Sequence, residues 1–132
     1  MIGLDTNLLM RAALADDEDQ ARRARDALAR LTFDDPGFVS VATLVECARV
    51  LRSVARRTPQ EIAHYLRGLL AAREIVVQAS DSVRRAVRDS EDHNTEFADA
   101  LIAHLAIDAG CDYTLTFDTR AAELPGMRLV EN

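Results

Sequence analysis

Phe97-Ala98-Asp99-Ala100-Leu101-Ile102-Ala103-His104-Leu105-Ala106-Ile107-Asp108-Ala109-Gly110 runs directly into Cys111-Asp112-Tyr113-Thr114-Leu115-Thr116-Phe117-Asp118. The first part reads as a helix over 97–109, with Gly110 at the C′ position where a left-handed residue closes a helix. The second part reads as a short strand, 113–117, ending on an acid. The same alternation recurs on either side of this stretch. Short apolar runs at 2–4, 38–40, 74–77 and 127–130 predict four more strands. Their lack of polar alternation is what strands covered on both faces look like. Helical signals fill the gaps at 16–31, where acids open the first turn, and at 41–55. Thr58-Pro59-Gln60-Glu61 predicts a capping box with proline at the first helical position. Ser80 and Asp81 open another helix, with Val83, Ala86 and Val87 on its inner face. Strand–helix alternation implies an α/β fold with a parallel sheet joined by right-handed crossovers. The 132 residues carry no repeat, linker or low-complexity tract, so one domain over 1–132 is expected.

Composition removes several functions. Apolar residues make up 48% of the chain, which argues against disorder. All 16 basic residues are arginine. With no lysine there is no Walker A loop, no lysine Schiff base and no phosphate-sensing lysine. There is no tryptophan and aromatics are 5%, which disfavours a surface that stacks single-stranded bases. A net charge of −6 argues against passive binding to nucleic acid, but not against an enzyme that meets phosphates through a bound metal. Cys47 and Cys111 match no CxxC pattern, so neither a zinc site nor a disulfide framework is indicated. No apolar run reaches the ~20 residues of a membrane helix, and the N-terminus lacks the signature of a signal peptide. A soluble cytoplasmic protein in a reducing compartment is the expectation.

In an open parallel sheet, ligands bind beyond the carboxyl ends of the strands. Asp5 follows the first strand and Asp118 follows the strand at 113–117. Either acid alone serves equally as a helix N-cap or turn residue. Asp99 lies in the first turns of its helix, beside a stripe formed by Ala98, Leu101, Ile102 and Leu105. A first-turn acid is also what the helix dipole favours, and Glu96 reads that way. Glu46 shares a stripe with Ala42, Arg49 and Ser53, which is either a solvated edge with a Glu46–Arg49 pair or the border of a cleft. The combination matters more than any member. Two like charges ~4 Å apart repel by roughly 4 kcal/mol at an effective dielectric of about 20. Converging carboxylates therefore either raise their pKa values or share a cation. Hard oxygen ligands select Mg2+ or Mn2+, and such a site activates water and neutralises a phosphodiester.

At these residues the chain resembles a PIN-domain ribonuclease, specifically a VapC-type toxin of a toxin–antitoxin pair. The resemblance rests on Ile2-Gly3-Leu4-Asp5-Thr6-Asn7-Leu8-Leu9, Val39-Ser40-Val41-Ala42-Thr43-Leu44-Val45-Glu46, Phe97-Ala98-Asp99-Ala100-Leu101-Ile102-Ala103 and Leu115-Thr116-Phe117-Asp118, in that order. It implies a three-layer α/β/α PIN-like fold whose mostly parallel central sheet has about five strands, the first and fourth side by side. Asp5 and Asp118 would face each other, and Asp99 and Glu46 would approach from helices. Asp5 and Asp99 would be the direct ligands of one or two Mg2+ or Mn2+ ions. Glu46 and Asp118 would complete the catalytic set, partly through water, with Thr6, Asn7 and Thr116 orienting the groups. The implied chemistry is metal-assisted hydrolysis of RNA, leaving a 5′-phosphate and a 3′-hydroxyl. The implied partners are RNA, a cognate antitoxin and a second copy of the chain, with the helix at 59–73 helping to form the antitoxin groove. The segment His93-Asn94-Thr95-Glu96 departs from the glycine and aspartate frequent in relatives, which leaves Glu96 in doubt as an extra ligand.

Other candidates are weaker. His64, His93 and His104 are not spaced as metal ligands, and Ser40 reads as an N-cap. Arg22, Arg23, Arg25 and Arg30 are mixed with acids, as on an ion-paired face, and Arg56 and Arg57 are candidates for a cleft border. A receiver or phosphatase site would need a second aspartate at position 7 and a lysine; the chain has Asn7 and no lysine. A nuclease of RNA maturation and a non-catalytic α/β interaction module are the alternatives.

Overall fold

The computed structural model describes residues 1–131; Asn132, the last residue of the expected domain, lies outside the described residues. The elements in chain order are β1 (Ile2–Gly3), α1 (Thr6–Leu14), α2 (Glu18–Ala29), β2 (Gly37–Val39), α3 (Val41–Ser53) and α4 (Pro59–Ala71). They continue with β3 (Ile75–Val77), α5 (Ser80–Asp92), α6 (Phe97–Asp108), β4 (Thr114–Thr116), a 3-10 turn (Ala121–Glu123) and β5 (Met127–Leu129). The fold is α/β, all five expected strands form, and every pairing is parallel. They stand as a three-stranded sheet, β1-β2-β3, and a two-stranded sheet, β4-β5. The chain forms two compact units: Met1–Arg56 with Gly68–Gln78, and Arg57–Arg67 with the residues from Ala79 on.

In the first unit, Ile2 pairs with Gly37, while Gly37, Phe38 and Val39 pair with Ile75, Val76 and Val77. Val39, Leu44, Cys47, Leu9 and Ala21 are almost fully buried and centre its core. Gly37 is required by space: a Cβ there would lie 2.6 Å from Leu4 Cδ1 and 2.9 Å from Leu31 Cδ1. The sequence pattern identified no helix at 6–14, yet α1 forms there, capped by Asp5. Ser40 caps α3 by accepting from the Thr43 N–H at 3.2 Å, as expected.

In the second unit, α5 packs on α6, with Val83, Ala86 and Val87 buried as expected. The stripe expected on α6 is rotated. Phe97, Ala100, Leu101 and Ala103 are buried, whereas Ile102 is 51% exposed. A helix apolar all round offers little periodic signal for its inner face. Gly110 closes α6 in a Schellman motif: its N–H donates to Ile107 O and the Cys111 N–H donates to Ala106 O, both at 2.9 Å. Thr58 and Glu61 form the predicted reciprocal box, at 3.0 and 3.1 Å.

The expectation that all strands are covered on both faces holds only for β2. Its Gly37 and Val39 are buried, whereas β1 is exposed and Leu115 in β4 is 59% exposed. β2 has a ladder neighbour on each side; a two-residue outer strand and a two-stranded sheet are too narrow to be covered that way.

Candidate active site

The first unit assembles an acid pair from β1, α1 and α3. Asp5 leaves β1 in an extended conformation, and its Oδ1 accepts the Leu8 N–H at 2.9 Å, capping α1. The carboxylate is exposed and its second oxygen is taken by no protein donor among the described residues. The capping and functional readings of Asp5 are thus compatible, because a carboxylate has two oxygens. Glu46 projects from the middle of α3, where the Thr6 hydroxyl donates to its Oε2 at 3.1 Å. Of its stripe, Glu46 alone borders a cleft, while Ala42, Arg49 and Ser53 stay on an exposed edge. Asp5, Thr6, Asn7, Thr43 and Glu46 line a cavity of about 530 Å3 between α1 and α3. Its apolar wall is Met10, Leu14, Val50 and Val54. Cys47, fully buried beside these acids, has its thiol pushed up to about 12 by burial, then by Glu46 and Asp5.

The second unit assembles the other pair. Asp99 is half-buried in the first turn of α6. Its carboxyl is held above the ordinary range by burial first, then by Asp118, then by Glu96. The helix dipole acts in the opposite sense, so burial and the acidic neighbours outweigh it. Asp118 follows β4 and is exposed. Its Oδ1 accepts the Arg120 N–H at 2.8 Å and the Ala121 N–H at 3.2 Å, and its own N–H donates to Thr116 Oγ1 at 3.0 Å. Arg120 Nη2 in turn donates to Asn94 O at 2.6 Å, tying the Asp118 turn to the loop before α6.

Two residues that sequence reasoning passed over are therefore part of these surroundings. Arg11 lines the cavity of Asp5 and Glu46, and Arg120 anchors the Asp118 turn. The signal for Arg11, one turn after Asn7, became visible only once 6–14 was a helix. Nothing local marks Arg120. His104 is the partner of Asp89 at 2.6 Å, joining α6 to α5. Arg22 and Arg23 pair with Asp19, as an ion-paired face predicts.

Among the described residues, no three His, Cys, Asp or Glu side chains form a group able to hold a metal ion. Mg2+ does not demand one, since it keeps several waters and is bound through one or two carboxylates together with substrate phosphates. The donors present suit it: the acids of each pair offer only oxygen ligands.

A sequence model described as the PIN domain matches residues 2–127. The chain belongs to the PIN domain family. PIN domains are in general nucleases and generally use divalent metals, so the activity expected of this one is hydrolysis of nucleic acid. The stretch matched includes all four acids of the two pairs. No curated protein matches the chain. No helix among the described residues is long and apolar enough to cross a membrane.

Proposed function

We propose that this PIN domain is a Mg2+- or Mn2+-dependent ribonuclease, a VapC-type toxin, and that residues 1–132 work as a single domain. The observation that carries the reading is the pairing of Asp5 with Glu46 and of Asp99 with Asp118 in a chain that matches the PIN family from residue 2 to residue 127. In this reading Asp5 and Asp99 are direct metal ligands, and Glu46 and Asp118 complete the catalytic set. A bound divalent ion would supply charge neutralisation at the phosphate and favour ionisation of water. Water attacks phosphorus in line, the bond to the 3′ oxygen breaks, and the products carry a 5′-phosphate and a 3′-hydroxyl. Glu46 or Asp118 accepts the proton that the attacking water loses. Thr6 holds Glu46 in place, and the backbone N–H groups of Arg120 and Ala121 fix one oxygen of Asp118, leaving the other to act.

The toxin assignment rests on the order and content of the four sequence motifs, and it brings with it an antitoxin and a second copy of the chain as partners. The cytoplasm, where RNA and antitoxin are both present, is the matching location.

Incubation of the purified chain with total RNA and Mg2+ or Mn2+, followed by mapping of fragment ends, tests the chemistry. Fragments ending in 5′-phosphate and 3′-hydroxyl are expected, and 2′,3′-cyclic phosphates would contradict it. Asp5→Asn should fold but lose at least 100-fold in cleavage, the scale of removing a group that stabilises the transition state. Undiminished metal-dependent cleavage by that variant would end the assignment. Growth arrest on expression, relieved by a small DNA-binding protein encoded next to this chain, tests the toxin role.

A further inference from the structure

Asp5 borders a second cavity of about 480 Å3 on the α2 side of α1, lined by Asn7, Leu8, Arg11, Gln20 and Arg23. Arg11 also lines the cavity of Asp5 and Glu46, so one residue borders both. Asn7 and Arg11 are one helical turn apart on α1 and share a face. Arg11 is poorly satisfied where it stands. Its Nη1 reaches Asp16 Oδ1 only at 3.3 Å, and its Nε is buried with no hydrogen-bond partner among the described residues. Buried donors are nearly always paired, so an orphan one calls for an explanation. Among the described residues Arg23 pairs with Asp19 at 3.6 Å, with both side chains largely exposed. Such a pair is weak and easily exchanged for a better anion.

We propose that Arg11, assisted by Arg23, forms a phosphate-binding subsite that holds the RNA strand next to Asp5. This rests on the reading of the chain as a ribonuclease and adds where the strand is gripped. The physical need is plain. The chain carries a net charge of −6 and no lysine, and its acids would repel a polyanion. A guanidinium fork matches two phosphate oxygens at once, and it remains charged at every pH the enzyme meets. A phosphate bound there would satisfy the buried Nε and draw Arg11 from Asp16. Arg11 would contact substrate at a nucleotide beside the scissile bond, and the four acids would keep the chemistry.

The test measures binding of a labelled single-stranded RNA across a salt series, with Asp99→Asn in the background to stop cleavage. Arg11→Gln and Arg23→Gln are compared with Arg84→Gln, which removes the same charge from an exposed pair with Asp81 on α5. Arg11→Gln should weaken binding roughly tenfold and reduce the slope of log K against log salt by about 0.7, the value of one phosphate contact on a single strand. Arg23→Gln should reduce both by less, and Arg84→Gln should leave both near the parent values. With Asp99 restored, Arg11→Gln should raise KM with kcat within about twofold. An unchanged slope with a lowered melting temperature would make Arg11 a structural residue and overturn the proposal, as would equal effects of Arg11→Gln and Arg84→Gln. Failure of the nuclease reading shows separately, as absence of metal-dependent cleavage by the unmodified chain while the Arg11-dependent binding persists.

Discussion

Asp99 carries a cost that its neighbours make explicit. Burial, then Asp118, then Glu96 hold its carboxyl above 3.8, the value expected when the chain is unfolded. Between those two pKa values the folded chain binds more protons than the unfolded one, so stability falls as pH rises. The penalty is absent below 3.8 and complete above the raised folded value. This is the reverse of a carboxylate in an ion pair. Asp99→Asn removes the penalty, so the metal-free variant should melt higher at neutral pH, on the order of a few degrees for a domain of this size. The gain should vanish as the pH is taken below 3.8, and thermal melts across the series check it. A gain of the same size at every pH would assign it to packing instead of charge. The same substitution should abolish cleavage, so stability and activity move in opposite directions at this residue.

Among the elements, β2 is the one that sets the position of Asp5. Leu4 N donates to Phe38 O at 2.9 Å, and the Leu4 side chain lies over Gly37. Gly37→Ala would press a methyl onto Leu4 and Leu31, and overpacking of this kind costs about 1–3 kcal/mol. Urea unfolding should show that loss, and cleavage should drop with it because Asp5 follows Leu4 directly. The elements also show what could be read in advance. Gly110 and the Thr58–Glu61 box were legible because capping is local chemistry, decided within four residues. The candidate acids were legible for a related reason: two of them end short apolar runs, where a strand must hand over to a turn. Helix α1 was not legible as a periodic segment, because Thr6–Leu14 is short and follows a strand of only two residues. The inner face of α6 was misjudged because Ile102 and Leu101 are equally apolar, and only tertiary packing decides that Leu101 is buried and Ile102 exposed. The roles of Arg11 and Arg120 depend on residues from separate elements, which no local pattern records.

Taken over the whole molecule, 22 acidic side chains against 16 arginines must still accommodate an anionic substrate. In the proposed subsite Arg11 would meet a phosphate beside Asp5, and at the acids themselves a cation would be the remedy. Binding of an ion to the folded chain alone stabilises it by RT ln(1 + [L]/Kd), about 2.7 kcal/mol at a hundredfold excess over Kd. Mg2+ or Mn2+ should therefore raise the melting temperature saturably, by several degrees, while Na+ at matched ionic strength should not. EDTA should reverse the shift and stop cleavage together. Single-acid variants then ask how the four carboxylates share the work. The assignment of Asp5 and Asp99 as ligands of the same ion requires that Asp5→Asn and Asp99→Asn each abolish the same Mg2+ response, and that the double variant lose nothing further. Two additive half-responses would instead assign a separate ion to each pair. That outcome would leave the metal chemistry intact but refute the assignment of Asp5 and Asp99 as joint ligands.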